Sequence, residues 1–244
     1  MQPLVITDLG LISYTEAYAL QQRLVAARKS SAIDDVLLIC EHPHVITLGR
    51  NANRANLLAS ENVLRQKGVE LHASNRGGDI TYHGPGQIVG YPIINLDKIK
   101  RDVGWYVRTL EEAMIRASAD SGVAAFRVPG RTGIWVQVGA GEEKLAAIGV
   151  HISRWVTSHG FAYNVSTDLR YFDFIVPCGI ADRKATSLEK LLQRRVSQDE
   201  VKPRLTHHLA ELLSLAPRVA SPKELLADIS TIESACGATH PLAS

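Results

Sequence analysis

The sequence predicts an α+β fold in which mixed β-sheets are flanked by helices. Strand-length apolar runs are interspersed with helix-period segments along the chain. Residues 133–138 and 144–156 are strand-like and are joined by Gly139-Ala140-Gly141-Glu142-Glu143, the pattern of an antiparallel hairpin. A hairpin within such a pattern favours an α+β domain over a doubly wound parallel sheet.

Residues 4–9 read as a short strand. Ser13 and Glu16 form a capping-box pattern ahead of a helix-period segment that runs to about Lys29. Val36-Leu37-Leu38-Ile39-Cys40 is a continuous apolar run of strand length, broken by His42-Pro43-His44 and resumed over 45–49. Residues 57–66 read as a short helix stopped by Gly68. The glycine-rich run Arg76-Gly77-Gly78-Asp79-Ile80-Thr81-Tyr82-His83-Gly84-Pro85-Gly86-Gln87 reads as a loop that feeds a strand over 88–96. Residues 105–119 carry helical spacing, 160–165 form a further strand, and 174–176 are a short apolar entry into Pro177-Cys178-Gly179. Ser197 and Glu200 cap a helix that reaches Leu213. From about residue 216 the periodicity fades. The chain is therefore divided into a domain over 1–215 and a C-terminal extension over 216–244, where Ser221-Pro222-Lys223-Glu224 opens one short helix.

The chain, 244 residues long, can bury a full core. A formal charge of +2 is too small to argue for nucleic acid. The N-terminus has no basic stretch followed by an apolar one, and no apolar run approaches the length of a membrane span, so no secretory signal and no membrane span are expected. Cys40, Cys178 and Cys236 are odd in number and widely spaced, which fits a reducing cytoplasm rather than a disulfide framework. A cytoplasmic monomer is the expectation.

Glycines let a backbone approach a ligand closely, so the Arg76–Gln87 run is a candidate binding wall. Cys178 sits on a Pro-Gly turn where a side chain can face a cleft, whereas Cys40, inside an apolar strand, fits a buried hydrophobe. A thiol with an ordinary pKa near 8.5 is only slightly ionised at neutral pH, so thiol chemistry needs a neighbouring cation or base. Lys144, at the mouth of the predicted hairpin and ahead of Ala146-Ala147-Ile148-Gly149, is the candidate, with His83, His151 and His159 as alternatives that could orient or bind. No acidic ligand set stands at metal spacing around the histidines, and no phosphate-binding loop fingerprint is present, so neither a metal nor a cofactor is expected.

Four motifs occur in order: Arg76-Gly77-Gly78-x-x-Thr81-Tyr82-His83-Gly84-Pro85-Gly86-Gln87, Lys144-x-Ala146-Ala147-Ile148-Gly149, Ser153-Arg154-Trp155-Val156-Thr157-x-His159-Gly160-Phe161-Ala162, and Val176-Pro177-Cys178-Gly179-Ile180. Together they resemble the octanoyltransferases of lipoate biosynthesis, and residues 41–50 and Thr186-Ser187-Leu188 resemble them too. The resemblance implies the catalytic fold of the biotin and lipoate protein ligases. It implies transfer of octanoyl from acyl carrier protein to a lysine amino group of lipoyl domains, in 2-oxoacid dehydrogenase complexes and in the glycine cleavage H protein. It further implies that Cys178 forms an acyl-thioester assisted by Lys144. Substrate contacts carry over onto Arg76, Gly77, Gly78, Asp79, Ile80, Thr81, Tyr82 and His83, onto Ala147, Ile148 and Gly149, and onto Gly160, Phe161 and Ala162. Asp79 stands where Gln is common and Tyr163 where Leu is usual; both substitutions could alter the pocket.

Exchanging one thioester for another is nearly isoenergetic and ending in an amide runs downhill, so this chemistry needs neither ATP nor metal. An acceptor lysine is only about 0.04% neutral at pH 7, so a base must take its proton. Four other readings compete: an octanoyl amidotransferase between lipoyl-bearing proteins, an ATP-dependent lipoate or biotin protein ligase, a thiol hydrolase using Cys178 with His83 or His159, and a non-catalytic acyl-carrier binder. The basic stretch over 183–204 is a candidate dock for an acidic carrier.

Overall fold

The computed structural model describes residues 1–176 and 184–237; Cys178 lies outside them. An eight-stranded mixed sheet forms the body. Its strands are β1 (Gln2–Leu11), β2 (Asp35–Glu41), β6 (Gln87–Ile93), β7 (Ala125–Val128), β8 (Arg131–Val138), β9 (Gly141–Ser153), β10 (Val156–Asn164) and β11 (Leu215–Val219), in the order β11-β1-β2-β6-β10-β9-β8-β7. β1 pairs in parallel with β2 and β11, and every other pair in the sheet is antiparallel. A second sheet holds β3 (Val45–Leu48) between β4 (Glu70–Ala73) and β5 (Ile80–His83).

Helices cover both faces of the main sheet. On β2, Leu37 and Ile39 enter a core shared with α3 (Val103–Ala119) and α5 (Gln198–Leu213), while Val36, Leu38 and Cys40 enter one shared with α1 (Tyr14–Lys29) and α6 (Pro222–Gly237). A strand buried on both faces reads as an unbroken apolar run, as β2 does. Each fully buried Leu or Ile contributes about 2 kcal/mol. A third core, under the small sheet, gathers Ile46, Ile80, Tyr82 and Ile175 with Leu64 of α2 (Glu61–Gln66). Ser13 caps α1 and a full capping box, Ser197 with Glu200, starts α5.

Several expectations are corrected. The run Arg76–Gln87 is not all loop: residues 80–83 form β5, paired antiparallel with β3. The strand read over 144–156 turns at Arg154 and Trp155, which carry φ of 51° and 62° and join β9 to β10 as a two-residue hairpin. Such turns favour Asn and Gly, so Arg-Trp gives no local signal. The helix read over 57–66 begins only at Glu61, where Ser60 caps it, because Leu57 is held extended in a bridge to Ile175. Residues 215–219 extend the main sheet as β11, and α6, longer than expected, packs its Leu225 and Ile229 beside α1. No described helix is long and apolar enough to cross a membrane.

Candidate active site

β9 and β10 form one wall of a cavity of about 470 Å³, a volume within the usual range for small-molecule sites. Ala147, Ile148 and Gly149 of β9 face it alongside Gly160, Phe161 and Ala162 of β10, and Gly149 and Gly160 are register partners. A second wall is the stretch Arg76-Gly77-Gly78-Asp79-Ile80-Thr81. Gly77 donates its N–H to the Val150 carbonyl at 2.9 Å, stitching this stretch to β9. The approach depends on Gly149, where a Cβ would lie 2.8 Å from the Gly77 carbonyl oxygen. Gly90 of β6 plays a similar part, since a Cβ there would overlap the Phe161 ring.

Arg76 is buried, and its guanidinium is spent on the scaffold. Nε and Nη2 donate to Thr47 Oγ1 at 3.1 and 2.9 Å, and Nη2 also donates to the Thr47 carbonyl at 2.7 Å. His83 Nδ1 donates to Gln87 Oε1 at 2.8 Å, leaving Nε2 as an acceptor 3.5 Å from Thr47 Oγ1. His159 Nε2 donates to Asn75 Oδ1 at 2.6 Å. Burial above all, then the charges of His42 and Arg76, lowers the His83 pKa to about 3; burial, followed by Arg76 and His151, does the same for His159. Both imidazoles are therefore neutral wall groups and weak bases near pH 7. Cys40 is fully buried beside His42, and burial pushes its thiol well above the ordinary range.

Lys144, on β9, lines the cavity beside Arg131 and Thr132, with Nζ 4.9 Å from the centroid of the Trp135 ring. Both ends of the described chain on either side of 177–183 are tied to this cavity. Val176 donates its N–H to the Asn56 carbonyl at 2.8 Å, and the Asn56 side chain donates to the carboxylate of the cavity residue Asp79. On the other side, Lys144 donates its N–H to the Lys184 carbonyl and accepts from the Thr186 N–H, each at 2.9 Å.

The sequence-predicted residues Arg76, Gly77, Gly78, Asp79, Ile80, Thr81, His83, Lys144, Ala147, Ile148, Gly149, Gly160, Phe161 and Ala162 all line this one cavity. Tyr82 does not. Strand alternation turns it to the other side of β5, where it stacks on Tyr171 at 5.2 Å and bonds His44 Nδ1 through its hydroxyl at 2.7 Å. Tyr163 also lies off the cavity lining, bonded to Ser118 of α3 at 2.6 Å. The lining adds Tyr14, Tyr91, Val107 and Arg131, which sequence reasoning missed because each sits within an element whose pattern reports only local structure. Among the described residues, the cluster with metal-ligand geometry, His207-His208-Glu211, does not touch the cavity.

A largely apolar cavity with glycine-stitched walls, lined also by Lys144, defines a catalytic-type domain with a small-molecule site between its two sheets. The protein belongs to the lipoyl protein ligase A/B catalytic domain family, whose model matches residues 13–210. It is 54% identical over 212 residues to the octanoyltransferase of Solibacter usitatus, covering 87% of this chain and 94% of that protein. It is 56% identical over 193 residues to the octanoyltransferase of Acidobacterium capsulatum, covering 75% and 78%. Its fold matches a bipartite lipoate protein ligase of Thermoplasma acidophilum, with a TM-score of 0.73 at 17% identity over 96% of this chain and 93% of that one. A lipoate-protein ligase A bound with ATP matches with a TM-score of 0.70 at 17% identity, over 96% and 94%. These two likenesses establish the fold alone.

Proposed function

We propose that this protein transfers octanoyl from an acyl carrier protein to the ε-amino group of a lysine in lipoyl domains, through a thioester on Cys178. The observation that carries the reading is the placement of Lys144 on an acyl-sized cavity, with the chain on both sides of the Cys178 segment tied to the cavity's walls. The names of the relatives support octanoyl as the transferred group. The acceptors are the lipoyl domains of 2-oxoacid dehydrogenase complexes and the glycine cleavage H protein, and the setting is the cytoplasm.

The Cys178 thiolate attacks the thioester carbonyl of the donor, forming a new C–S bond and an oxyanion that backbone N–H groups can stabilise. Collapse of the oxyanion breaks the old C–S bond, and the carrier thiolate leaves and takes up a proton. The acceptor lysine loses one proton to solvent and attacks the acyl-enzyme as the neutral amine; Lys144 takes the second proton from the ammonium of the tetrahedral adduct, and the Cys178 thiolate leaves as the amide forms. The low basicity of His83 and His159 favours Lys144 for that proton and weighs against a histidine-assisted hydrolase.

The test is transfer of octanoyl from carrier to an apo lipoyl domain by the wild-type protein and by Cys178→Ala and Cys178→Ser. Loss of transfer in Cys178→Ala is expected; undiminished transfer contradicts the mechanism.

A further inference from the structure

A band of positive charge borders one end of the cavity. Arg50 directly precedes Asn51, and His151 directly follows Val150; Asn51 and Val150 both line the cavity. Lys29, at the end of α1, donates from Nζ to Ser153 Oγ at 3.0 Å, which brings it onto the β9–β10 hairpin beside Arg154. His151 lies within the field of Arg50 and Lys29. Arg50 and Arg154 are exposed, and Lys29 is half-buried. Among the described residues, none of these three cations has a carboxylate at ion-pair distance, whereas Arg101, Arg116, Arg127, Arg170 and Arg194 each have one. The basic stretch over 183–204 is partly neutralised: Lys190 pairs with Glu143, Arg194 with Glu200, and Lys202 with Asp8.

We propose that Lys29, Arg50 and Arg154 form the docking rim for the acyl donor, an acidic carrier protein that delivers its acyl chain on a long prosthetic arm. The inference rests on the octanoyl-transfer reading and adds where the donor sits. Distance selects the donor over the acceptor. His151 and Lys144 are seven positions apart on one strand, β9, which is roughly 20 Å at the rise of an extended chain. A partner seated on the rim must deliver its reacting atom across that span. The side chain of an acceptor lysine is far too short, but a thioester at the end of a prosthetic arm reaches. Unpaired cations at a cavity mouth steer an acidic partner and act mainly on encounter and KM.

The test compares wild type with the double variant Arg50→Glu/Arg154→Glu in steady-state transfer, with three substrates varied in turn: the octanoyl carrier, octanoyl on a small neutral thiol, and the lipoyl-domain acceptor. The expected result is a rise of about tenfold or more in KM for the carrier, with kcat and the other two KM values within about twofold. Added salt should raise the wild-type KM for carrier and leave that of the variant nearly flat. Arg50→Gln/Arg154→Gln should fall between the two and serves if the double Glu variant does not fold. An unchanged carrier KM overturns the docking rim, as does a rise confined to the acceptor or shared by all three substrates. A wild-type protein that transfers octanoyl from neither donor refutes the octanoyl-transfer reading itself, an outcome distinct from these.

Discussion

Lys144 and Ala185 are neighbours in a parallel β-bridge, built from the Lys144 N–H to the Lys184 carbonyl and the Thr186 N–H to the Lys144 carbonyl, both 2.9 Å. The residue whose side chain lines the cavity therefore also holds, through its main chain, the residues at 184–186. Cavity lining and backbone support are carried by the same residue through different atoms.

That division makes Lys144 a clean target. Lys144→Met keeps both backbone bonds and loses the Nζ contact over the Trp135 ring, so the fold should survive with a modestly lowered urea midpoint. Transfer should fall by about 10²–10⁴, the typical worth of a positioned base. Lys144→Arg keeps the charge but cannot act as a base near neutrality; full activity in that variant would reduce Lys144 to a positive charge. The converse change is Thr186→Pro, which removes the N–H that bonds Lys144 and leaves the lysine in place. Stopped-flow acylation should slow in that variant if the bridge positions the segment.

Asp79 supports the opposite flank. Its carboxylate accepts from the Asn53 N–H at 2.9 Å and from the Asn56 side chain, and the Asn56 carbonyl holds Val176. Asp79→Ala leaves Asn56 without that acceptor, a loss of about 1–3 kcal/mol. A fall in kcat larger than the change in KM, with recovery in Asp79→Asn, is the expected signature. Asp79→Asn keeps one of the two acceptor oxygens, so its recovery should be partial; an undiminished kcat in Asp79→Ala would contradict the supporting role.

The glycine stitching sets the width of the cavity. Gly149→Ala places a Cβ 2.8 Å from the Gly77 carbonyl oxygen and 3.2 Å from Arg76 Cδ. Relief requires the Arg76 stretch to move off β9, at a cost of about 1–3 kcal/mol. A lower urea midpoint together with a raised KM for octanoyl donors is expected. A stable variant with an unchanged KM would place the acyl chain elsewhere.

Stability should also decline in acid. His83 and His159 titrate near 6.5 when unfolded and near 3 when folded. Between those values the unfolded chain binds more protons, so stability is full above about 6.5 and is lost as pH falls toward 3. From 6.5 to about pH 5 the loss is on the order of 2 kcal/mol for each histidine. Urea midpoints measured across that window should drop in the wild-type protein and drop less in His83→Gln.

The sequence carries the parts of this arrangement that are local. Ser13 and Ser197 announce their helices, β2 shows its two-sided burial as an unbroken apolar run, and the glycine-rich and Lys144 motifs give all but one of the cavity residues the motifs implied. Tyr82 is misplaced because β5 is hidden within a run that reads as loop, and only strand alternation sends it to the far side. The Arg154-Trp155 turn is silent because its left-handed backbone is imposed by the β9–β10 pairing. Tyr14, Tyr91 and Val107 reach the cavity from three separate elements, and β11 joins the sheet by pairing with β1 across the length of the chain. Contacts of that range leave no mark on the local pattern.

The central claim is that octanoyl rests on Cys178 between donor and acceptor. Intact mass spectrometry after incubation with octanoyl carrier protein, in the absence of acceptor, tests it most directly. The account predicts a gain of one octanoyl group in the wild-type protein, discharged on adding an apo lipoyl domain and absent in Cys178→Ala. An acylated Cys178→Ala protein, or a wild-type protein that completes transfer without ever carrying the group, would contradict it.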